Sequence, residues 1–73
     1  MTVFELRREL ERRGIKAFEY NLDGKGRTDE RICLAEKDGK WEVYYAERGV
    51  KTTDEYFDTQ EEACQFIYDM LTN

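Results

Sequence analysis

The stretch RICLAEKDGKWEVYYA, residues 31–46, predicts a β-hairpin. Its centre, Asp38-Gly39, suits a two-residue type I′ turn, in which both central residues need positive φ angles. Runs rich in β-branched and aromatic residues flank this turn and favour strands over residues 31–36 and 40–46. Because the turn length fixes the register, the sequence predicts these cross-strand pairs: Ile32 with Tyr45, Cys33 with Tyr44, Leu34 with Val43, Ala35 with Glu42, and Glu36 with Trp41.

This register gives the hairpin two unlike faces. Successive side chains of a strand point to opposite faces, so a slip of one residue would exchange the two sets. The predicted core face carries Ile32, Leu34, Trp41, Val43 and Tyr45. The opposite face, called the mixed face below, carries Cys33, Ala35, Glu42 and Tyr44.

Residues 2–13 predict a helix with a signal at each end. Thr2 and Glu5 have the spacing of a capping box, in which each side chain accepts a hydrogen bond from the other residue's backbone N–H. Gly14 suits the left-handed position that ends a helix in a Schellman motif.

Alternation of apolar and polar residues over 17–22 predicts a half-buried strand. Phe18, Tyr20 and Leu22 would then share the face that points into the core. Residues 23–30 are polar, include two glycines and predict a mobile loop.

A turn at residues 47–49 separates the hairpin from an edge strand predicted over residues 50–57. The second helix is predicted to start at Asp58 or Thr59, because Thr59 and Glu62 repeat the spacing of a capping box. Apolar residues then recur at helical spacing: Ala63, Phe66, Ile67, Met70 and Leu71.

Together these elements predict one α+β domain over residues 1–73, in the order α-β-β-β-β-α. Short connections favour an antiparallel sheet, here of three to four strands. Each helix is apolar along one stripe only, so both are expected to cover the same face of the sheet. The mixed face would be left to water or to a partner.

The composition argues against catalysis. The chain has no histidine, serine or proline and only two cysteines, which excludes Ser-His-Asp and Cys-His nucleophile systems and histidine metal ligands. The loop after residue 22 departs from a calcium-binding loop at Lys25 and Ile32, where ligands should stand. We therefore expect no enzymatic activity, no catalytic or metal-binding residues and no cofactor.

Charge indicates the kind of partner. The net charge is −5, and residues 50–73 hold six acids against Lys51 alone. Such a domain suits a basic protein partner and repels nucleic acid and anionic membranes. Residues 1–10 lack the apolar core of a signal peptide, and no apolar run approaches the roughly 20 residues of a membrane helix, so the expected location is cytoplasmic.

The mixed face is the predicted binding surface. Tyrosine supplies rigid apolar area and a hydroxyl, and neighbouring acids attract a basic partner. If the last strand pairs in step, Asp54 and Tyr56 join Glu42 and Tyr44 on this face. The candidate partner-binding residues are Glu42, Tyr44, Glu47, Arg48, Asp54, Glu55 and Tyr56.

Three strings carry a resemblance to a known family: GKWEVYY at residues 39–45, ERG at 47–49, and FDTQEEAC at 57–64. Through them, residues 17–70 resemble small acidic immunity proteins of bacterial polymorphic toxin systems. Most of these residues also have structural roles. The strings therefore support a shared fold more strongly than a shared activity.

The resemblance implies stoichiometric inhibition of a cognate toxin, with a basic nuclease as the expected target. The domain itself is expected to be a monomer or a weak homodimer. Two alternatives remain open. The four arginines at residues 7, 8, 12 and 13 could bind nucleic acid, although interleaved acids favour a solvated helix face. The edge strand could instead pair with a second copy.

Overall fold

The computed structural model, which describes all 73 residues, has two helices and one four-stranded sheet. Their bounds are α1 Val3–Arg12, β1 Tyr20–Asn21, β2 Ile32–Lys37, β3 Lys40–Glu47, β4 Val50–Phe57 and α2 Gln60–Thr72. The strands lie side by side in the order β1-β2-β3-β4. The predicted α+β class and the order α-β-β-β-β-α are confirmed.

The hairpin of β2 and β3 has the predicted register. All five expected pairs are present, from Ile32 opposite Tyr45 to Glu36 opposite Trp41. Asp38 and Gly39 both have positive φ angles, of 52° and 79°, as a type I′ turn requires.

Both ends of α1 form as predicted. The Thr2 backbone N–H donates to Glu5 Oε1 at 2.8 Å, and the Glu5 N–H donates to Thr2 Oγ1 at 3.1 Å. At the other end Gly14 has a φ of +78°, and the Ile15 N–H donates to the Leu10 carbonyl at 2.9 Å. This last bond is the 6→1 hydrogen bond that defines a Schellman motif.

The start of α2 has a simpler cap than expected. Thr59 Oγ1 accepts from the Glu62 N–H at 3.2 Å, but the Glu62 carboxylate accepts from the Thr59 hydroxyl rather than from its backbone. The helix still begins one residue after Thr59.

The core lies on one side of the sheet, and both helices pack there. The buried residues of this core come from every element except β4: Leu6, Leu10, Tyr20, Leu22, Ile32, Leu34, Val43, Ala63, Cys64 and Ile67. Trp41, Tyr45 and Phe57 pack against them from the same face. The helices therefore leave the mixed face uncovered.

The prediction of a strand over residues 17–22 is wrong for residues 17–19. Ala17–Glu19 form a single 3-10 turn, and only Tyr20–Asn21 pair as a strand. Successive residues of a 3-10 turn are rotated by about 120°, so every second residue does not share a face. Phe18, predicted to be in the core, is 65% exposed, whereas Tyr20 and Leu22 are buried.

The expected all-antiparallel sheet is wrong at one edge, where β1 runs parallel to β2. Parallel neighbours need a connection that returns to the starting end of the sheet. Because β1 has only two residues, residues 22–31 are long enough to make this return without a helix.

The loop after β1 is organised around one buried side chain, Asn21. Its amide nitrogen donates to the carbonyls of Lys25 and Arg27, at 2.9 and 2.8 Å. Its amide oxygen accepts from the N–H groups of Asp23 and Gly24. The loop predicted to be mobile therefore has a fixed anchor at the edge of the mixed face.

Neither helix is long and apolar enough to cross a membrane.

We expect α1 to depend on its buried stripe. Leu10→Ala should destabilise the fold by about 2–5 kcal/mol, because Leu10 is fully buried in the apolar core. Phe4→Ala, on the same helix at a residue that is 68% exposed, should change stability by no more than about 0.5 kcal/mol. Urea denaturation of both variants tests this expectation, and equal losses would show that α1 packs by another face.

Candidate protein-binding site

The mixed face carries four of the predicted partner-binding residues side by side. On β3 and β4, Glu42 lies opposite Tyr56 and Tyr44 lies opposite Asp54. The last strand therefore pairs in step over this region, as the prediction required. Tyr56 is 50% exposed, and Tyr44 is half-buried.

A β-bulge changes the register of β4 beyond these pairs. Tyr45 is opposite Thr53, but Ala46 is opposite Lys51, so Thr52 is an extra residue in β4. Without the bulge, Lys51 would lie opposite Glu47 and point to the core face. The bulge therefore brings Lys51 onto the mixed face.

Lys51 completes a polar cluster around Glu42. The Lys51 ammonium lies 2.6 Å from Glu42 Oε2 and 4.4 Å from the centre of the Tyr44 ring. The Tyr56 hydroxyl donates to the same carboxylate oxygen at 3.3 Å. These contacts allow Glu42 to be only 3% exposed, because a buried carboxylate needs a cation and hydrogen bonds.

Asp54 and Glu42 share this cluster as two neighbouring acids. A hydrogen bond to Glu42, together with partial desolvation and the nearby charge, raises the pKa of Asp54. Burial alone would raise the pKa of Glu42, but hydrogen bonds from Asp54 and Lys51 outweigh it and hold that pKa below its usual value. The cluster therefore binds a proton most readily on the outer acid, Asp54.

The mixed face is balanced in charge rather than acidic. Lys37 on β2 and Lys40 on β3 lie opposite each other on this face, next to the Asp38-Gly39 turn. Lys40 also forms an ion pair with Asp58. With Lys51, three lysines thus face the three carboxylates of Glu42, Asp54 and Asp58. Acids on this face cannot by themselves attract a basic partner, since their cations stand beside them.

Three predicted partner-binding residues lie away from this cluster. Glu55 is opposite Val43 and therefore belongs to the core face, where it is exposed at the sheet edge. Glu47 pairs with Val50 at the end of the β3–β4 hairpin, and Arg48 lies in the turn with a φ of 52°. The structure brings together Glu42, Tyr44, Asp54 and Tyr56, but not these three.

The sequence-based interpretation missed Lys51 as a member of the site. Simple alternation places odd-numbered β4 residues on the core face, and nothing in Lys51-Thr52-Thr53 marks the bulge. One feature of the sequence did point to a role for Lys51: it is the one basic residue among six acids in residues 50–73.

Three of the four arginines of the first helical segment are engaged within the chain. Arg12 forms an ion pair with Glu9 at 2.7 Å. Arg8 lies over the Phe4 ring at 5.8 Å. Arg13 donates to the Tyr68 hydroxyl at 2.9 Å and lies 5.5 Å from that ring.

Both cysteines are buried and free. Burial raises the pKa of the Cys33 and Cys64 thiols, which lowers the reactive thiolate fraction. Cys33 Sγ donates to the Thr28 carbonyl at 3.3 Å, which ties the loop to the mixed face. No three Asp, Glu or Cys side chains converge as metal ligands would.

Comparison of the chain with protein-family models, curated proteins and solved structures found no match.

We expect Lys51→Met to destabilise the protein by about 1–2 kcal/mol, because it leaves the buried Glu42 carboxylate without its cation. Adding Glu42→Gln should restore part of the loss, since a neutral amide needs no counter-charge. Urea denaturation of both single variants and the double variant measures this coupling. Additive losses would contradict a direct Lys51–Glu42 interaction.

The acid pair predicts a pH dependence. Stability that arises from the raised pKa of Asp54 is present at low pH and is lost as pH rises through that pKa. Stability from the lowered pKa of Glu42 runs the other way: it is present above the ordinary glutamate pKa and is lost as pH falls through the lowered value.

Asp54→Asn should therefore raise the melting temperature at pH 7, and the gain should shrink below a pH of about 4, where aspartate is protonated in both states. Melting curves across this pH range test the expectation, with Glu55→Gln on the core face as the matched control. A lower melting temperature for Asp54→Asn at pH 7 would contradict it.

Proposed function

We propose that this domain is a non-catalytic inhibitor that binds a basic bacterial toxin domain in a stoichiometric complex through its mixed face. The observation that carries the proposal is the part of the mixed face formed by β3 and β4, which no helix covers. There Tyr44 and Tyr56 flank the fixed Glu42–Lys51 pair. The strings at residues 39–45, 47–49 and 57–64, which resemble immunity proteins, point to the same class of function.

The mixed face has the properties of a protein-binding surface. Its tyrosines sit on paired strands rather than on loops, so little conformational entropy is lost when a partner orders them. Lysines and carboxylates alternate across it, which favours a partner with the complementary pattern over one of uniform charge. Specificity would come from this pattern and affinity from the tyrosines.

Long-range attraction comes from elsewhere on the molecule. The balanced mixed face contributes no net charge, yet the chain as a whole carries −5. The net negative charge therefore lies on the rest of the molecule, including Glu61, Glu62 and Asp69 of α2, and it speeds association with a basic partner.

The experiment is to mix the purified domain with the toxin-like product of the adjacent gene and measure binding by calorimetry. We expect a one-to-one complex, toxin activity lost at equivalence, and association that slows as salt rises. Tyr56→Ala should weaken binding at least about tenfold, as truncation of an interface tyrosine does.

Phe18→Ala is the matched control, because Phe18 is a similarly exposed aromatic residue on another part of the surface. The proposal is overturned if no complex forms, if a substoichiometric amount of domain inactivates the toxin, or if the two variants weaken binding equally.

A further inference from the structure

A groove lies where the end of β4 meets the outer side of α2. Its volume is about 490 Å³. Its floor is formed by Phe57 and Phe66, whose ring centres are 5.1 Å apart and whose planes are tilted by 45°. Both rings are half-buried, so they are held in place while still presenting apolar surface.

The rim of the groove is acidic and has no cation. Glu61, Glu62 and Asp69 line it together with Gln65. The side-chain partners of these acids are neutral: the Thr59 hydroxyl for Glu62 and the Gln65 amide for Asp69. The groove therefore combines apolar area with three negative charges that the chain itself does not neutralise, unlike the balanced mixed face.

The strand beside the groove has a free edge. β4 pairs with β3 on one side only, so its outer N–H and C=O groups have no strand partner. Natural edges are guarded by bulges, prolines or lysines. Here the bulge lies before Thr53, Lys51 is drawn inward to Glu42, and the chain has no proline. The regular segment Thr53–Phe57 is left open to pairing.

We propose that this edge and groove together bind an extended, basic segment of a partner protein. The segment would add a fifth strand along Thr53–Phe57 through backbone hydrogen bonds. One of its apolar side chains would rest on Phe57 and Phe66, and its lysines or arginines would lie against the acids of the rim.

A second copy of the chain fits this edge less well. Symmetric antiparallel pairing of Thr53–Phe57 with itself would place Glu55 of one copy directly opposite Glu55 of the other. Like charges on directly opposed strands are destabilising. Charge complementarity therefore selects a basic partner over self-association.

This inference deepens the proposed function, since the segment would belong to the same basic partner, but it concerns a different surface.

The probe is a labelled peptide of about eight residues that alternates lysine with valine and contains one phenylalanine. Fluorescence anisotropy measures its affinity, and amide shifts of the labelled protein locate it. We expect the largest shifts in Thr53–Phe57.

Two matched controls separate strand pairing from simple charge attraction. The first is the same peptide N-methylated on alternate residues, which keeps its charge but removes the pairing edge. The second compares Glu61→Gln/Asp69→Asn at the rim with a distant variant, Glu11→Gln/Glu30→Gln, at exposed acids outside the groove. We expect N-methylation and the rim variant each to weaken binding at least about tenfold, with no change for the distant variant.

The inference is overturned if the peptide does not bind at low salt, if both charge variants weaken binding equally, or if the N-methylated peptide binds as well as the parent. It is also overturned if sedimentation shows a dimer whose interface excludes the peptide.

Tyr44→Ala, on the mixed face, should leave peptide binding unchanged. If peptide binding persists while no toxin complex forms, the proposed function fails and the groove assignment stands.

Discussion

The register of the β2–β3 hairpin is the constraint on which the rest of the structure depends. Asp38 and Gly39 close a turn that fixes which residues face each other, and this places Leu34 and Val43 beneath both helices. A slip of one residue would bury Glu42 under the helices and expose Val43. The core, the mixed face and the position of β4 all follow from two residues with positive φ.

The features predictable from the sequence are those with local chemical signals. The Thr2 cap, the Gly14 helix end and the Asp38-Gly39 turn each need only neighbouring residues, and each forms as expected. The alternation around Phe18 was misleading, because a pattern of period two cannot exclude a 3-10 turn that packs only Tyr20 and Leu22. The parallel partner of β1 lies beyond a long loop, which no turn chemistry specifies.

The candidate site was predictable to the same extent. Glu42 and Tyr44 follow from the hairpin register, and Tyr56 follows from in-step pairing of β4. Lys51 reaches Glu42 only because of the bulge at Thr52. The buried carboxylate in turn favours the bulged register, since in-step pairing throughout would leave it without a cation. This mutual dependence is tertiary, so residue-by-residue patterns do not reveal it.

The one-sided core also has an evolutionary consequence. The apolar cluster of the core lies beneath the helices, while Tyr44, Asp54 and Tyr56 lie on the other side of a single sheet. Substitutions at those positions alter the surface without creating cavities in the core. Such a sheet separates selection for folding from selection for recognition, so the lineage can follow a changing partner while keeping its scaffold. Only Glu42 and Lys51, which serve both roles, would have to change together.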